Sequence, residues 1–337
     1  MELIQNKLIL IDMQSYMENS GGIVVMYYLA NLLKQNNINV KMYNRNKYVQ
    51  HSRGIIISRY HGKIIIPRHY NKNGNGLVNE IFSEYTDHFD VDNTIVVYWE
   101  GTIGNPLNAK YVIRWILSEL GKNVDSNIHL SWNKNDLCYY FLSEKKINDS
   151  PEKLNNIYKF LTTIYLKPNT FVNLNQNRKG YCHIFKKSSY HKNLIPFHPS
   201  DSVEISFSKY DQLVEIFNKY EYFICYDPAC FLIWIAGLCG CIPILHKLEN
   251  ISKEDYFTGK SEANSNLYIY YLSHPYTDYP GIAYGQEDIE HARNTLSLLP
   301  ALLQSQINYT NDYCITNFIN DINNFDNCQN TIANNYK

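Results

Sequence analysis

Residues 222–245 read YFICYDPACFLIWIAGLCGCIPIL, and beyond Asp227 the stretch carries no charged side chain. Three readings compete for it: a membrane span, an ordinary buried core, or the floor of a binding site. A spanning helix needs about 20 apolar residues without interruption. Pro228, Gly237, Gly240 and Pro243 divide this one into three. Residues 222–226 therefore predict a short apolar strand, with Asp227 as the N-cap of a helix that has Pro228 in its first turn. Gly240 closes that helix, and "CIPIL" predicts a second buried strand. Strand, helix and strand in this order build a parallel sheet.

The same alternation extends in both directions. Upstream, 203–207 predicts a strand and 211–220 a helix with Leu213, Ile216, Phe217 and Tyr220 on one side. Downstream come a short helix near 253–257 and the strand-like "LYIYYL". A long amphipathic helix follows, marked by Ile289, Ala292, Leu296, Leu299 and Leu303. The first half repeats the plan. "KLILIDM" (7–13) predicts a buried strand, followed by "ENSGG" and an apolar helix, then strands at "NVKMY" (39–43), "GIIISRY" (54–60) and "TIVVYWE" (94–100). In "GNPLNAKYVIRWILSELG" (104–121), Asn105 is expected as cap and Pro106 as first helical residue, with Lys110, Arg114 and Ser118 on the polar side. The fold class expected is α/β, with two Rossmann-like domains facing across a cleft. The boundaries expected are 1–168, 169–310 and a helical tail over 311–337 that packs back on the first domain. The polar "KPNTFVNLNQNRKG" (167–180) serves as linker.

Composition narrows the functional classes. With 45% apolar and 19% charged residues among 337, the chain is globular and long enough for two domains. A net charge of −1 gives no footprint for a polyanion, so no nucleic-acid partner is expected. Eight cysteines lack paired metal spacing, and Cys239 and Cys241 form C-x-C inside an apolar run, which predicts reduced thiols. The start, "MELIQNKLILIDMQ", has no basic n-region or cleavage site, so a cytoplasmic protein is expected and the sequons at Asn148, Asn250 and Asn308 carry no meaning.

Open parallel sheets bind ligands beyond the carboxyl ends of their strands. That rule selects Asp12 with Gly21 and Gly22, then Glu100 through Asn105, then Asp227 through Cys230 (with Ala229 between), and His246. Bare amides at Gly21 and Gly22 suit a phosphate or sugar at a helix N-terminus, although GG is not the G-x-G-x-x-G of a dinucleotide site. Arg178, Lys179, Lys186 and Lys187 flank "YCHIF" and are the basic supply for a diphosphate. The acidic triplet "DVD" (90–92) precedes its strand, on the wrong edge for a ligand metal, so no metal is expected. His69 and His198 lie in loops, His69 within reach of general-base work.

Five segments taken in order carry a resemblance: GG with its apolar helix, "GNPLNAKYVIRWIL", "RKGYCHIFKK", "YDPACFLIWIAGLCGCIPI" and "GIAYGQEDIEHARNTL". Together they resemble glycosyltransferases of the two-Rossmann GT-B architecture, most nearly members from bacterial polysaccharide clusters and large DNA viruses. The resemblance implies sugar transfer from a UDP- or GDP-linked donor to a glycan, lipid or protein acceptor, with no further cofactor. It implies a monomer or weak homodimer. The C-terminal half would hold the donor through Arg178, Lys186, Lys187, Asp227, Ala229, Cys230 and His246, with Gly21 and Gly22 of the first half also donor-binding. Asn105 would meet the acceptor, and Glu100, Asp12 or His69 would be the base. Many relatives place two acids eight positions apart; here Asp227 is followed at that spacing by Ile235. That departure leaves the stereochemistry open and is the one support for the alternative, a non-catalytic nucleotide-sugar- or glycan-binding protein on the same fold.

Overall fold

A computed structural model of the chain describes residues 7–44, 81–141, 157–185, 193–257 and 280–325, apart from short gaps within those spans, and the pairs 59–60 and 63–64. It divides into two compact units, Met1–Tyr165 with Asn311–Lys337, and Leu166–Thr310.

Unit 1 is built on a seven-stranded parallel sheet. Its strands are β1 (Leu8–Met13), β2 (Val40–Asn44), β5 (Tyr85–Thr86), β6 (Thr94–Trp99), β7 (Tyr111–Ile116), β8 (Leu137–Tyr140) and β9 (Ile157–Phe160), in the order β5-β2-β1-β6-β7-β8-β9. A two-stranded antiparallel pair, β3 (Arg59–Tyr60) with β4 (Lys63–Ile64), stands apart from it. Strand pleating sends alternate residues to opposite faces. Ile9, Ile11 and Met13 join Ile95, Val97, Ile113 and Trp115 on one face, beneath α1 (Gly21–Gln35) and the C-terminal helix α7 (Ile315–Asn323). Leu10, Tyr43, Val96, Tyr98 and Val112 fill the other. Each fully buried aliphatic side chain contributes about 1.5–3 kcal/mol, which explains why the central strands read as unbroken apolar runs. Three polar contacts, two of them buried, fasten the tail to this unit. Tyr139 donates its hydroxyl to Asp321 (3.0 Å), and Asn311 accepts the Ile164 amide while donating to the Tyr28 hydroxyl.

Unit 2 carries a five-stranded parallel sheet of β10 (Tyr181–Ile184), β11 (Val203–Glu204), β12 (Tyr222–Cys225), β13 (Ile242–Leu245) and β14 (Ala283–Tyr284), in the order β11-β10-β12-β13-β14. Its helices are α2 (Leu213–Lys219), α3 (Leu232–Leu238), α4 (Lys253–Phe257), α5 (Ile289–Thr295) and α6 (Leu299–Tyr309). The chain is thus α/β, with two Rossmann-like units. The charge-free stretch folds as β12, α3 and β13, and no helix among the described residues is long and apolar enough to cross a membrane.

Four local expectations are corrected. Residues 111–116 form β7, not a helix: Val112, Ile113, Trp115 and Ile116 are buried on both faces of the sheet, and β-branched and aromatic side chains suit a pleated ladder. Helix α3 begins at Leu232 with Phe231 as its N-cap, so Asp227 does not cap it. The helix expected across 289–303 is broken by a 3-10 turn at Leu296–Leu298, and Pro300 opens α6, where a missing amide costs nothing. The strand expected at 203–207 shortens to Val203–Glu204. "LYIYYL" lies outside the described residues.

Gly240 has φ +85°, the left-handed conformation that ends α3, and its amide donates to the Gly237 carbonyl. Gly237 permits close helix contact, since a Cβ there would stand 2.6 Å from Leu299 on α6.

Candidate functional site

The carboxyl ends of β1, β6 and β7 share one edge of the unit 1 sheet. The ladder sets Asp12 opposite Tyr43 on one side and Tyr98 on the other, and Glu100 follows Tyr98 by two residues. Both acids are buried, at 1% and 2% exposure. Glu100 accepts the amide of Leu117, just past β7, at 3.0 Å. Burial pushes its carboxyl up to about 7, against the opposing pull of hydrogen bonds from the backbone of Leu117, Glu100 and Ser118. Helix α1 starts beside this group: a Cβ on Gly22 would contact Leu117 at 3.4 Å, whereas nothing lies within 4 Å of one on Gly21. Ser20, the N-cap, makes no side-chain hydrogen bond to α1.

The turn that carries Glu100 is held from below. Thr102 donates its amide to the Trp99 carbonyl, so Glu100 and Gly101 are the two central residues of a tight turn. The Trp99 ring folds over Gly101, where a Cβ would fall 2.1 Å from it. Arg114, on β7, is fully buried and sends Nε to Asp136 Oδ2 (2.8 Å), Nη1 to the Thr102 carbonyl (3.2 Å) and Nη2 to the Gly104 carbonyl (2.5 Å). Its guanidinium lies over the rings of Tyr98 and Trp132, and Trp132 Nε1 also donates to Thr102. Burial raises the Asp136 carboxyl and Arg114 draws it back down. Sequence reading set Arg114 on an exposed helix face. The signal it overlooked was a lone cation among β-formers, whose ion-pair partner Asp136 lies 22 residues onward.

Asn105 is occupied by its own loop. Its Oδ1 accepts the Tyr98 hydroxyl (2.9 Å) and the Ala109 amide (3.2 Å), and its Nδ2 donates to the Ala109 carbonyl (2.8 Å). It closes a turn instead of capping a helix. Beside it Ile103 is 61% exposed, and the neighbouring Gly104 amide is tied to Ser131 Oγ at 3.1 Å.

At the carboxyl edge of the unit 2 sheet, Tyr226 anchors an aromatic group. Its hydroxyl accepts the amides of Phe197 (2.8 Å) and His198 (3.2 Å) and meets His198 Nδ1 at 3.0 Å. Phe185 stacks on Tyr226 at 4.8 Å, and the His183 and His198 rings stack at 3.8 Å. Burial and the neighbouring His198 lower the His183 pKa. His246, after β13, bonds the carbonyls of Lys247 and Ile195. Asp227 is buried, and its carbonyl accepts the Cys225 thiol. Cys230 is buried, and burial holds the Cys225 thiol well above its ordinary range. All seven cysteines among the described residues are free and buried.

Arg178 lies elsewhere. It precedes β10, at the amino end of the sheet, and donates to the carbonyls of Phe217, Gln176 and Cys239 and to the side chains of Asn173 and Asn218. The guanidinium so engaged closes the C-terminus of α3, where Gly240 leaves room for it. Asp90 of the acidic triplet accepts the Asp92 amide and the Asn93 side chain, closing the turn ahead of β6. Among the described residues no three His, Cys, Asp or Glu side chains are grouped to hold a metal. His69, Lys186, Lys187 and Ala229 lie outside the described residues.

No protein-family model and no curated protein matches the chain. Solved structures similar to it include BGT of T4 phage with its UDP-glucose substrate (10% identity, 93% of this chain and 98% of that one, TM-score 0.48). Others are the DNA-modifying enzyme β-glucosyltransferase (11%, 96% and 99%, TM-score 0.44) and an α-glucosyltransferase bound to UDP and a 13-mer DNA (12%, 91% and 94%, TM-score 0.40). These neighbours are glycosyltransferases that use nucleotide-sugars, and their substrates are their own. The expectation that excluded nucleic acid, and with it placed a glycan, lipid or protein acceptor, is corrected by these neighbours, one of them described as a DNA-modifying enzyme and another bound to a 13-mer DNA. Net charge summed over a whole chain does not report how charge is distributed, so a value of −1 was no ground for the exclusion.

Proposed function

We propose that this protein is a glycosyltransferase, with unit 2 holding a UDP- or GDP-linked donor and unit 1 receiving the acceptor hydroxyl. Glu100 is the observation that supports this reading. A buried carboxyl at the end of a central strand, held at about 7, is matched to removing a proton near neutral pH. In the step proposed, Glu100 takes the acceptor's hydroxyl proton. The acceptor oxygen bonds to the anomeric carbon of the sugar as the bond to the diphosphate breaks, and the nucleoside diphosphate leaves with the electron pair. Asp12, buried on the adjacent strand, is the second acid of this edge.

The departing diphosphate needs cationic or amide donors. Lys186 and Lys187, which follow β10 in sequence, are the residues proposed for it, and the open N-terminus of α1 at Gly21 and Gly22 is proposed to approach the sugar. Asp227, Cys230 and His246 belong to the edge where the donor's nucleotide would rest. The reaction is proposed to proceed without a metal; the Asp90 carboxylate of the acidic triplet is engaged in a turn at the amino end of β6.

Donor hydrolysis tests the reading. Transferases leak sugar to water, so incubation with UDP-, GDP-, CMP- and dTDP-sugars should release free nucleotide from one of them, and Glu100→Gln should stop the release while leaving donor binding intact. Undiminished release by Glu100→Gln would remove Glu100 as the base.

A further inference from the structure

Arg114 is a costly residue for the place it occupies. No other Lys or Arg among the described residues is so fully buried, and taking an ion pair out of water costs several kcal/mol per charge before the partners repay it. Apolar residues of similar volume commonly pack such a site at equal or better stability. Stability alone therefore does not account for the pair, and the direction of its hydrogen bonds does. Two of the three arms end on the backbone of the loop after β6, at Thr102 and Gly104, and the third ends on Asp136 ahead of β8. Thr102 is also the residue that closes the turn through Trp99, with Glu100 inside it. Trp132 supports the same carbonyl, and Ser131 holds the Gly104 amide.

We infer that Arg114 is a positioning residue for Glu100: through the Thr102 and Gly104 carbonyls it locks the turn that keeps the Glu100 carboxyl buried against the end of β7. Lys could not replace it, because an ammonium is a point donor and this site needs a planar fork reaching three acceptors in different directions. The inference rests on the sugar-transfer reading for its consequence in turnover, but its structural content stands apart from it. Titratable groups on the elements around Glu100 include Asp12 on β1, Tyr27 and Tyr28 on α1, Tyr98 on β6, Tyr111 and Arg114 on β7 and Asp136 ahead of β8; Asp136 is paired with Arg114, so removing both together leaves no unpaired buried charge.

The test uses the full chain as Arg114→Met/Asp136→Leu, which keeps the core filled, and as Arg114→Lys. The Glu100 carboxyl is titrated directly by carbon-13 NMR of labelled glutamate, with Glu100→Gln identifying its resonance, and thermal melts establish folding. In the folded double variant the loosened turn admits water, so the Glu100 midpoint should move down toward the ordinary carboxylate range. Nucleotide release should lose about a hundredfold in kcat with KM for the donor little changed, as misplacement of a reacting group by about 1 Å produces. Arg114→Lys should show the same downward shift. A midpoint that stays put or rises in a folded variant overturns the inference. Should wild-type protein release no nucleotide from any donor, the sugar-transfer reading fails while the titration still decides the role of Arg114.

Discussion

Replacing Glu100 with Gln should make the protein more stable and inactive at once. The folded state holds the Glu100 carboxyl at about 7, against an ordinary 4.5. An acid raised on folding binds its proton more tightly in the native chain, so stability falls as pH climbs from about 4.5 to about 7 and stays reduced above that. At 1.36 kcal/mol per pKa unit, the penalty at pH 8 is about 3 kcal/mol. Gln has nearly the same shape, and its carbonyl can still accept the Leu117 amide, but it carries no charge to desolvate. Urea unfolding of both proteins at pH 4.5 and pH 8 measures the effect. Glu100→Gln should match wild type within about 0.5 kcal/mol at pH 4.5 and exceed it by about 2–3 kcal/mol at pH 8. A variant no more stable than wild type at pH 8 would refute the reasoning, since it would mean the native carboxylate ionises at no cost.

Other perturbations separate structural from functional residues. Asn105→Ala should cost about 1–3 kcal/mol by chemical denaturation, because Tyr98 and Ala109 lose their partners, with donor affinity unchanged. Ile103→Ala, at an exposed position, should change stability by less than about 0.5 kcal/mol. Lys186→Ala with Lys187→Ala should weaken donor binding by about 1–3 kcal/mol in calorimetry, whereas Arg178→Ala should lower the melting temperature. Excess chelator should leave nucleotide release unchanged if no metal takes part.

What the sequence made legible is the set of elements whose patterns are local. β1, β6, β12 and β13 are apolar, β-branched runs bounded by polar or glycine residues, and α1 is a long apolar helix opened by Ser-Gly-Gly; each could be seen in a window of a dozen residues. Once the strands were drawn, Asp12 and Glu100 fell at carboxyl ends by counting. β7 was misread because Asn105–Pro106 imitates a helix start and Lys110, Arg114 and Ser118 imitate a polar helix face. What decides against the helix is tertiary: Asn105 is held by Tyr98, and Arg114 by Asp136, 22 residues onward. Arg178 was misassigned for the same reason. A basic residue near a strand suggests an anion until Phe217, Asn218 and Cys239 are seen around it, and those lie about 40–60 residues away in the chain.

Sugar transfer by this protein requires that it bind an activated sugar and that Glu100 activate a hydroxyl. Nucleotide release followed across pH 5.5 to 9 with the preferred donor tests this most directly. The rate should rise with one ionisation near 7 and be abolished in Glu100→Gln. A protein that releases nucleotide from no donor, or whose rate ignores both pH and the substitution, would contradict it.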